Sequence, residues 1–282
     1  MKKLIKRYIS KSIYFDHIYQ LFSTLFYYNK IKNYPFGKKK KHKKDTYMDL
    51  FIKVKEKDYK EVALFELNKN YKINKAWINE LALITQITVK NSNLCYAHGR
   101  VIYASLSSYV STFNDKINII ETGTSKGFSS LCMAKALNDQ GKKGIIHTID
   151  ILPKNKQIFW NSISDFEGKK NRYELLEKWS DLRDKYLIYY EGFSNKILKN
   201  HITLKRIHFA FLDGSHTYLD VGYEFKFIAS KQFKNDIIIV DDYNIQYPGL
   251  IKAVDELSKD LDYSIELINS SINRTYAICT KK

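Results

Sequence analysis

The sequence predicts an α/β fold: a mostly parallel sheet with helices on both faces, closed by an antiparallel C-terminal hairpin and preceded by a helical extension. Three observations predict it. From Ile117 onward, short apolar runs alternate with helical patterns, the rhythm of parallel strands joined by crossover helices. The last two apolar runs, "YSIELINS" and "RTYAICTK", have only a short turn between them, so they must pair antiparallel. Residues 47–92 instead read as helices with short breaks.

In chain order, Leu4, Tyr8, Phe15, Ile18, Tyr19, Phe22 and Phe26 fall at spacings that fit one helical face. "NYPFG" then breaks the pattern and "KKKKHKK" follows at 38–44. Residues 1–44 form a basic amphipathic arm, with 13 Lys/Arg against one acid, Asp16. The remaining 238 residues hold 34 bases and 29 acids, so most of the net charge of +17 belongs to the arm. Three roles fit it: docking on the body or on a second subunit of a homo-oligomer, weak contact with an anionic membrane surface, and nucleic-acid contact. The near-neutral body argues against nucleic acid as the main partner.

Residues 45–115 are a helical N-terminal region that includes "AWINELALITQITVK" and one longer helix over "NLCYAHGRVIYASLSSYVSTF" (93–113). Residues 116–282 form the main domain. In it "INIIETG" is a buried strand, "SSLCMAKALND" a helix and "GIIHTIDI" a second strand. A helical insertion covers "IFWNSISDF" and "RYELLEKWSDL". "YLIYYEG" and "IHFAFLDG" are the third and fourth strands, and "YEFKFIASKQF" is a helix. "DIIIVDDY" is the fifth strand, and "PGLIKAVDELSKD" is the helix before the hairpin.

Cys95, Cys132 and Cys279 are far apart, odd in number and without metal-ligand spacing, so they read as buried thiols of a reducing compartment. The basic opening is followed by no unbroken apolar run, and no stretch approaches the roughly 18 apolar residues that span a bilayer. The expectation is a cytoplasmic protein, at most peripheral to the inner face of the membrane.

In open α/β sheets, ligands bind beyond the carboxyl ends of the strands. The turn after the first strand reads "ETGTSKGFSS", placing Glu121, Thr122, Gly123, Thr124, Gly127 and Ser129 there. Glycines let the backbone approach a ligand, and the next helix offers free N–H groups. A carboxylate where a dinucleotide fingerprint has its first glycine disfavours a pyrophosphate and welcomes an amine and a sulfonium. Asp150 ends the second strand, placed to accept ribose hydroxyls, and Gly192 and Ser194 after the third strand flank an adenine position. Together they point to S-adenosylmethionine as cofactor. A nicotinamide enzyme with a degenerate fingerprint and a purely structural turn are the competing readings.

Asp213 ends the fourth strand and Asp241–Asp242 the fifth. One helix separates them, so the strand ends can lie side by side. Three crowded carboxylates call for a cation, and a hard divalent ion such as Mg²⁺ matches oxygen ligands. His216, three residues past Asp213, has the ordinary pKa of a general base. A solvated acidic pair and a structural histidine are the blander alternatives.

The blocks "YAHGRVIYASL", "IIETGTSKGFSSL", "FLDGSHTYLDVGYEF" and "IVDDYNIQYPGLIKAVDEL" resemble the class I S-adenosylmethionine-dependent methyltransferases of the macrocin and cephalosporin-biosynthesis type. The resemblance spans about residues 93–280. It implies a Rossmann-like sheet and O-methylation of a sugar, a glycan or a small metabolite, with a magnesium ion at the strand-end aspartates. By motif, Asp213, Asp241 and Asp242 take the metal positions, and Asp213 and His216 the catalytic ones. Glu121, Gly123 and Asp150 take cofactor positions. Two rivals remain: an RNA methyltransferase with the arm as its footprint, and a catalytically silent binding module of the same fold.

Overall fold

The computed structural model describes residues 30–40, 42–113, 115–271 and 274–282; most of the basic arm, residues 1–29, lies outside them. Helices α1 (Lys44–Lys55), α2 (Lys60–Lys69), α3 (Lys75–Thr85) and α4 (His98–Ser111) precede the first strand. The sheet then alternates with helices: β1 (Ile117–Thr122), α5 (Phe128–Asp139), β2 (Gly144–Asp150), α6 (Arg172–Leu175), α7 (Ser180–Tyr186), β3 (Leu187–Glu191) and α8 (Ser194–His201). It continues with β4 (Phe209–Leu212), α9 (Tyr218–Ala229), β5 (Ile237–Val240), α10 (Pro248–Asp260), β6 (Tyr263–Ser271) and β7 (Arg274–Lys281).

The strand order is β3-β2-β1-β4-β5-β7-β6. β1 pairs in parallel with β2 and β4, β4 with β5, and β2 with β3, while β7 runs antiparallel to both β5 and β6. This is a mixed Rossmann-like sheet, mostly parallel with antiparallel C-terminal strands, as the sequence predicts. The order of winding reverses between the parallel neighbours β1 and β4, and the carboxyl ends of those two strands face the same crevice.

Alternation along the apolar strands feeds two cores. Ile117 and Ile119 of β1 join α1–α5 and α7 on one face, whereas Ile120 joins α8, α9 and α10 on the other. The N-terminal helices therefore bury themselves against the sheet rather than forming a core of their own. The three cysteines are free and buried. No helix among the described residues is long and apolar enough to cross a membrane.

Four local expectations change. The helix of "AWINELALITQITVK" stops at Thr85, and the next one starts at His98 rather than Asn93, leaving residues 86–97 as a non-helical connection. "IFWNSISDF" is not an α-helix: Ile158 bridges Lys170, and only a 3-10 turn forms at Ile163–Glu167. The cause is Asp165, whose carboxylate accepts the N–H of Trp160 (2.7 Å) and Ser162 (3.4 Å) and so diverts them from helical bonding. α8 escapes sequence reading because only Ile197 and Leu198 of its eight residues are buried. α9 begins five residues earlier than expected, at Tyr218, because Thr217 caps it by accepting the Asp220 N–H at 3.1 Å.

Candidate active site

The turn after β1 crosses the turn after β4 in direct backbone contact. Gly123 has φ +91°, and a Cβ there would lie 2.1 Å from the Asp213 carbonyl oxygen. Only glycine permits this crossing. It sets Asp213 against the first turn of α5 and opens a cavity lined by Gly123, Thr124, Ser125, Phe128 and Ser129 on one side. Asp213, Asp242 and Arg274 line it on the strand-end side, and Gln86, Lys90 and His98 come from the N-terminal region.

Other expected cofactor residues stand beneath or beside this cavity rather than in its wall. Glu121 is fully buried and accepts hydroxyl hydrogen bonds from Ser129, Ser130 and Thr148. Burial pushes its pKa up to about 7 against the pull of those three hydroxyls. It thus braces the glycine loop from below. Thr122 points to the opposite face of the sheet, where its hydroxyl donates to Glu224 at 2.9 Å. Asp150 accepts the N–H of Ser125 (2.5 Å) and of Leu152 (2.8 Å), with the buried Arg172 guanidinium 4.0 Å away. Its carboxylate is therefore fixed at the edge of the same loop, with lone pairs left for further donors. Gly192 donates its N–H to the Asp150 carbonyl at 2.8 Å, and Ser194 opens α8 next to it. Gly127 is the left-handed residue from which α5 starts.

The acids and the histidine converge, with one exchange of partners. Asp242 adopts φ +56°, in the left-handed region that aspartate tolerates better than most residues. That kink turns consecutive aspartates apart. Asp241, fully buried, ion-pairs with Arg274 at 2.5 Å and accepts the Asp242 N–H at 2.7 Å. Asp242 turns toward Asp213 and His216 instead. The His216 Nε2 lies 3.8 Å from Asp213 and 3.7 Å from Asp242, too long for a hydrogen bond but within ion-pair reach. One ligand atom from each of these three residues falls within 4.8 Å of the others. The trio that meets is thus Asp213, His216 and Asp242, with Asp241 held one step back by Arg274.

Electrostatics follow from this crowding. Burial first, then Asp241, raises the Asp213 pKa, against the pull of His216 and Arg274. Burial opposes the charge of His216, but Asp213, Asp242 and Asp241 outweigh it, and its pKa is raised. The Nε2 atom is buried and has no hydrogen-bond partner. Tyr247 covers the ring, 4.3 Å between centroids.

Four residues of the site are not found by motif reading. Arg274 is the first residue of β7, and the antiparallel register places it beside the carboxyl end of β5. A lone charge at the head of an apolar strand is the signal for it. His98 lies tilted against Phe128, 4.8 Å between centroids, and parallel to Phe211 at 6.2 Å. Burial, then Arg274, pulls its pKa down to about 3, so it is a neutral wall. Gln86 and Lys90 lie on the connection that sequence reading takes for helix, which hides their reach toward the cavity.

Residues 120–243 match the family model described as a methyltransferase domain. Over that span the chain is similar to the methyltransferase-domain family. Among solved structures, the O-methyltransferase NovP superposes with a TM-score of 0.50 at 16% identity, covering 69% of this chain and 84% of NovP. An O-methyltransferase from Bacillus cereus, solved in complex with SAH, superposes with a TM-score of 0.51 at 13% identity, covering 74% and 92%. At such identities the likeness is one of fold. Among curated proteins, none matches the chain in sequence. The matched span of the methyltransferase domain runs from β1 through the Asp241–Asp242 turn, and so contains the glycine loop, Asp150, Asp213 and His216.

Proposed function

We propose that this methyltransferase methylates a hydroxyl oxygen of a small molecule, with a sugar or glycan hydroxyl as the acceptor class and a divalent cation assisting. One observation carries the reading: a partnerless, buried imidazole nitrogen stands between two carboxylates at the ends of β4 and β5, beside the glycine loop. S-adenosylmethionine, when bound, supplies an electrophilic methyl group on a sulfonium. The loop from Gly123 to Ser129 and the Asp150 carboxylate would hold it, with the methyl end toward Asp213. The carboxylates of Asp213 and Asp242 fit a hard ion such as Mg²⁺, and the ion would lower the pKa of an acceptor hydroxyl. Asp241 is committed to Arg274 and serves by fixing Asp242.

In this arrangement His216 receives the proton. The acceptor hydroxyl that takes the methyl group supplied by bound S-adenosylmethionine would give its proton to Nε2. The positive charge would move from the sulfonium to the imidazolium, with none created, so positioning is the larger part of the enzyme's task. Tyr247 shields the imidazole from water on one face.

The test is methyl transfer from labelled S-adenosylmethionine to a panel of hydroxylated sugars. His216→Ala is expected to lower turnover by about 10²–10⁴ while leaving cofactor affinity within a few-fold. Asp213→Asn is expected to abolish any dependence on added Mg²⁺. Turnover unchanged in His216→Ala would remove the imidazole from the chemistry.

A further inference from the structure

The cavity has an acidic and a basic pole, and only one of them is internally balanced. Asp213 and Asp242 form the acidic pole, with His216 between them. Of the basic side chains in the lining, Arg274 is answered by Asp241, and His98 is kept neutral by burial. Lys90 is different. It stands on the connection between α3 and α4, and among the described residues its ammonium makes no hydrogen bond and no ion pair. Lys90 is an exposed residue of the lining; partial burial and the nearby Arg274 lower its pKa, against the pull of Asp242, Asp213 and Asp241. Gln86, four residues earlier in the same lining, adds an amide that can donate. Gln86 and Lys90 thus bring an amide and a solvent-open ammonium to the lining, where an anion entering the cavity can replace the water around them.

We propose that Lys90, with Gln86 beside it, forms a carboxylate-binding subsite of this cavity, filled by the carboxylate of the cofactor's amino-acid tail or by a carboxylate carried on the acceptor. The inference rests on the methyltransferase reading above. A single ammonium and an amide match one negative charge rather than the two of a phosphate, and the acidic pole nearby penalises a more highly charged group. The same two poles suit a zwitterion, whose amine would turn toward Asp213 as its carboxylate meets Lys90. The N-terminal helical region thereby supplies a binding residue to a site otherwise built at the strand ends.

Calorimetric titration with S-adenosylhomocysteine and with its decarboxylated form, which keeps the nucleoside, thioether and amine, separates the sources. If the cofactor fills the subsite, Lys90→Met weakens S-adenosylhomocysteine by roughly tenfold to a hundredfold, the loss of a charge-assisted hydrogen bond, and leaves the decarboxylated form unchanged. Lys90→Arg retains most of the affinity. If the acceptor fills it, Lys90→Met leaves both nucleosides unchanged. In that case wild type saturated with S-adenosylhomocysteine binds D-glucuronate in preference to D-glucose, and the variant loses that preference. Equal weakening of both nucleosides, or no effect on any probe, overturns the subsite. Wild type that binds neither nucleoside overturns the methyltransferase reading itself, and the subsite with it.

Discussion

Asp241 and Asp242 are neighbours in sequence with opposite tasks, and the difference comes from one backbone angle. With Asp242 in the left-handed region, one carboxylate is spent on Arg274 and the other is delivered to His216. Arg274→Met leaves a buried carboxylate unpaired, so a destabilisation of about 3–5 kcal/mol in urea unfolding is expected; the double change with Asp241→Asn should recover much of it. Lys126 makes a second residue-scale prediction. Its ammonium is buried in the glycine loop without a hydrogen-bond partner, 5.5 Å from the Phe36 ring, and burial pulls its pKa down to about 7. The unfolded chain holds that proton up to about pH 10.4, so between those values the unfolded state binds more protons and stability rises with pH. Lys126→Met is therefore expected to raise the melting temperature most at or below pH 7, with the gain shrinking toward pH 10. A gain independent of pH would mean that the ammonium carries no burial cost. The strand-end acids and His216 are legible in the sequence because strands end where apolar runs meet polar clusters. The partition between Asp241 and Asp242 is not legible, since it depends on φ at one residue and on an arginine 33 positions away.

At the scale of elements, α4 and α5 approach closely because position 99 carries no side chain. A Cβ on Gly99 would meet Phe128 Cε1 at 2.6 Å and Cys132 Sγ at 2.8 Å. Gly99→Val is expected to cost about 1–3 kcal/mol and, by shifting Phe128 and the His98 ring packed against it, to weaken cofactor affinity as well. Stability lost with affinity intact would separate that packing from the site. The strands were readable from their unbroken apolar runs, and α10 from Pro248 at its first turn. Between β2 and β3 the helical reading of "RYELLEKWSDL" holds, and that of "IFWNSISDF" does not. There an Asp165 carboxylate captures local N–H groups, and Trp160 and Arg172 bury themselves in a short-range fold with no periodic signature. The same holds for residues 86–97, an apolar-rich connection whose helical look reflects composition rather than hydrogen bonding.

For the whole molecule, one sheet organises two cores and one site. The N-terminal helices share a core with the first face of the sheet, and the connection between α3 and α4 brings Gln86 and Lys90 to the cavity. What binds there is therefore set jointly by the methyltransferase domain and by the helical region ahead of it. The central claim is that the crevice beyond β1 and β2 holds S-adenosylmethionine, with Asp150 gripping the ribose. The most direct test is calorimetric titration of S-adenosylhomocysteine into wild type and Asp150→Ala, with thermal melts confirming that both are folded. The account predicts saturable one-to-one binding to wild type, weakened by about tenfold to a hundredfold when the carboxylate is removed. No binding to folded wild type, or equal affinity in folded Asp150→Ala, would contradict it.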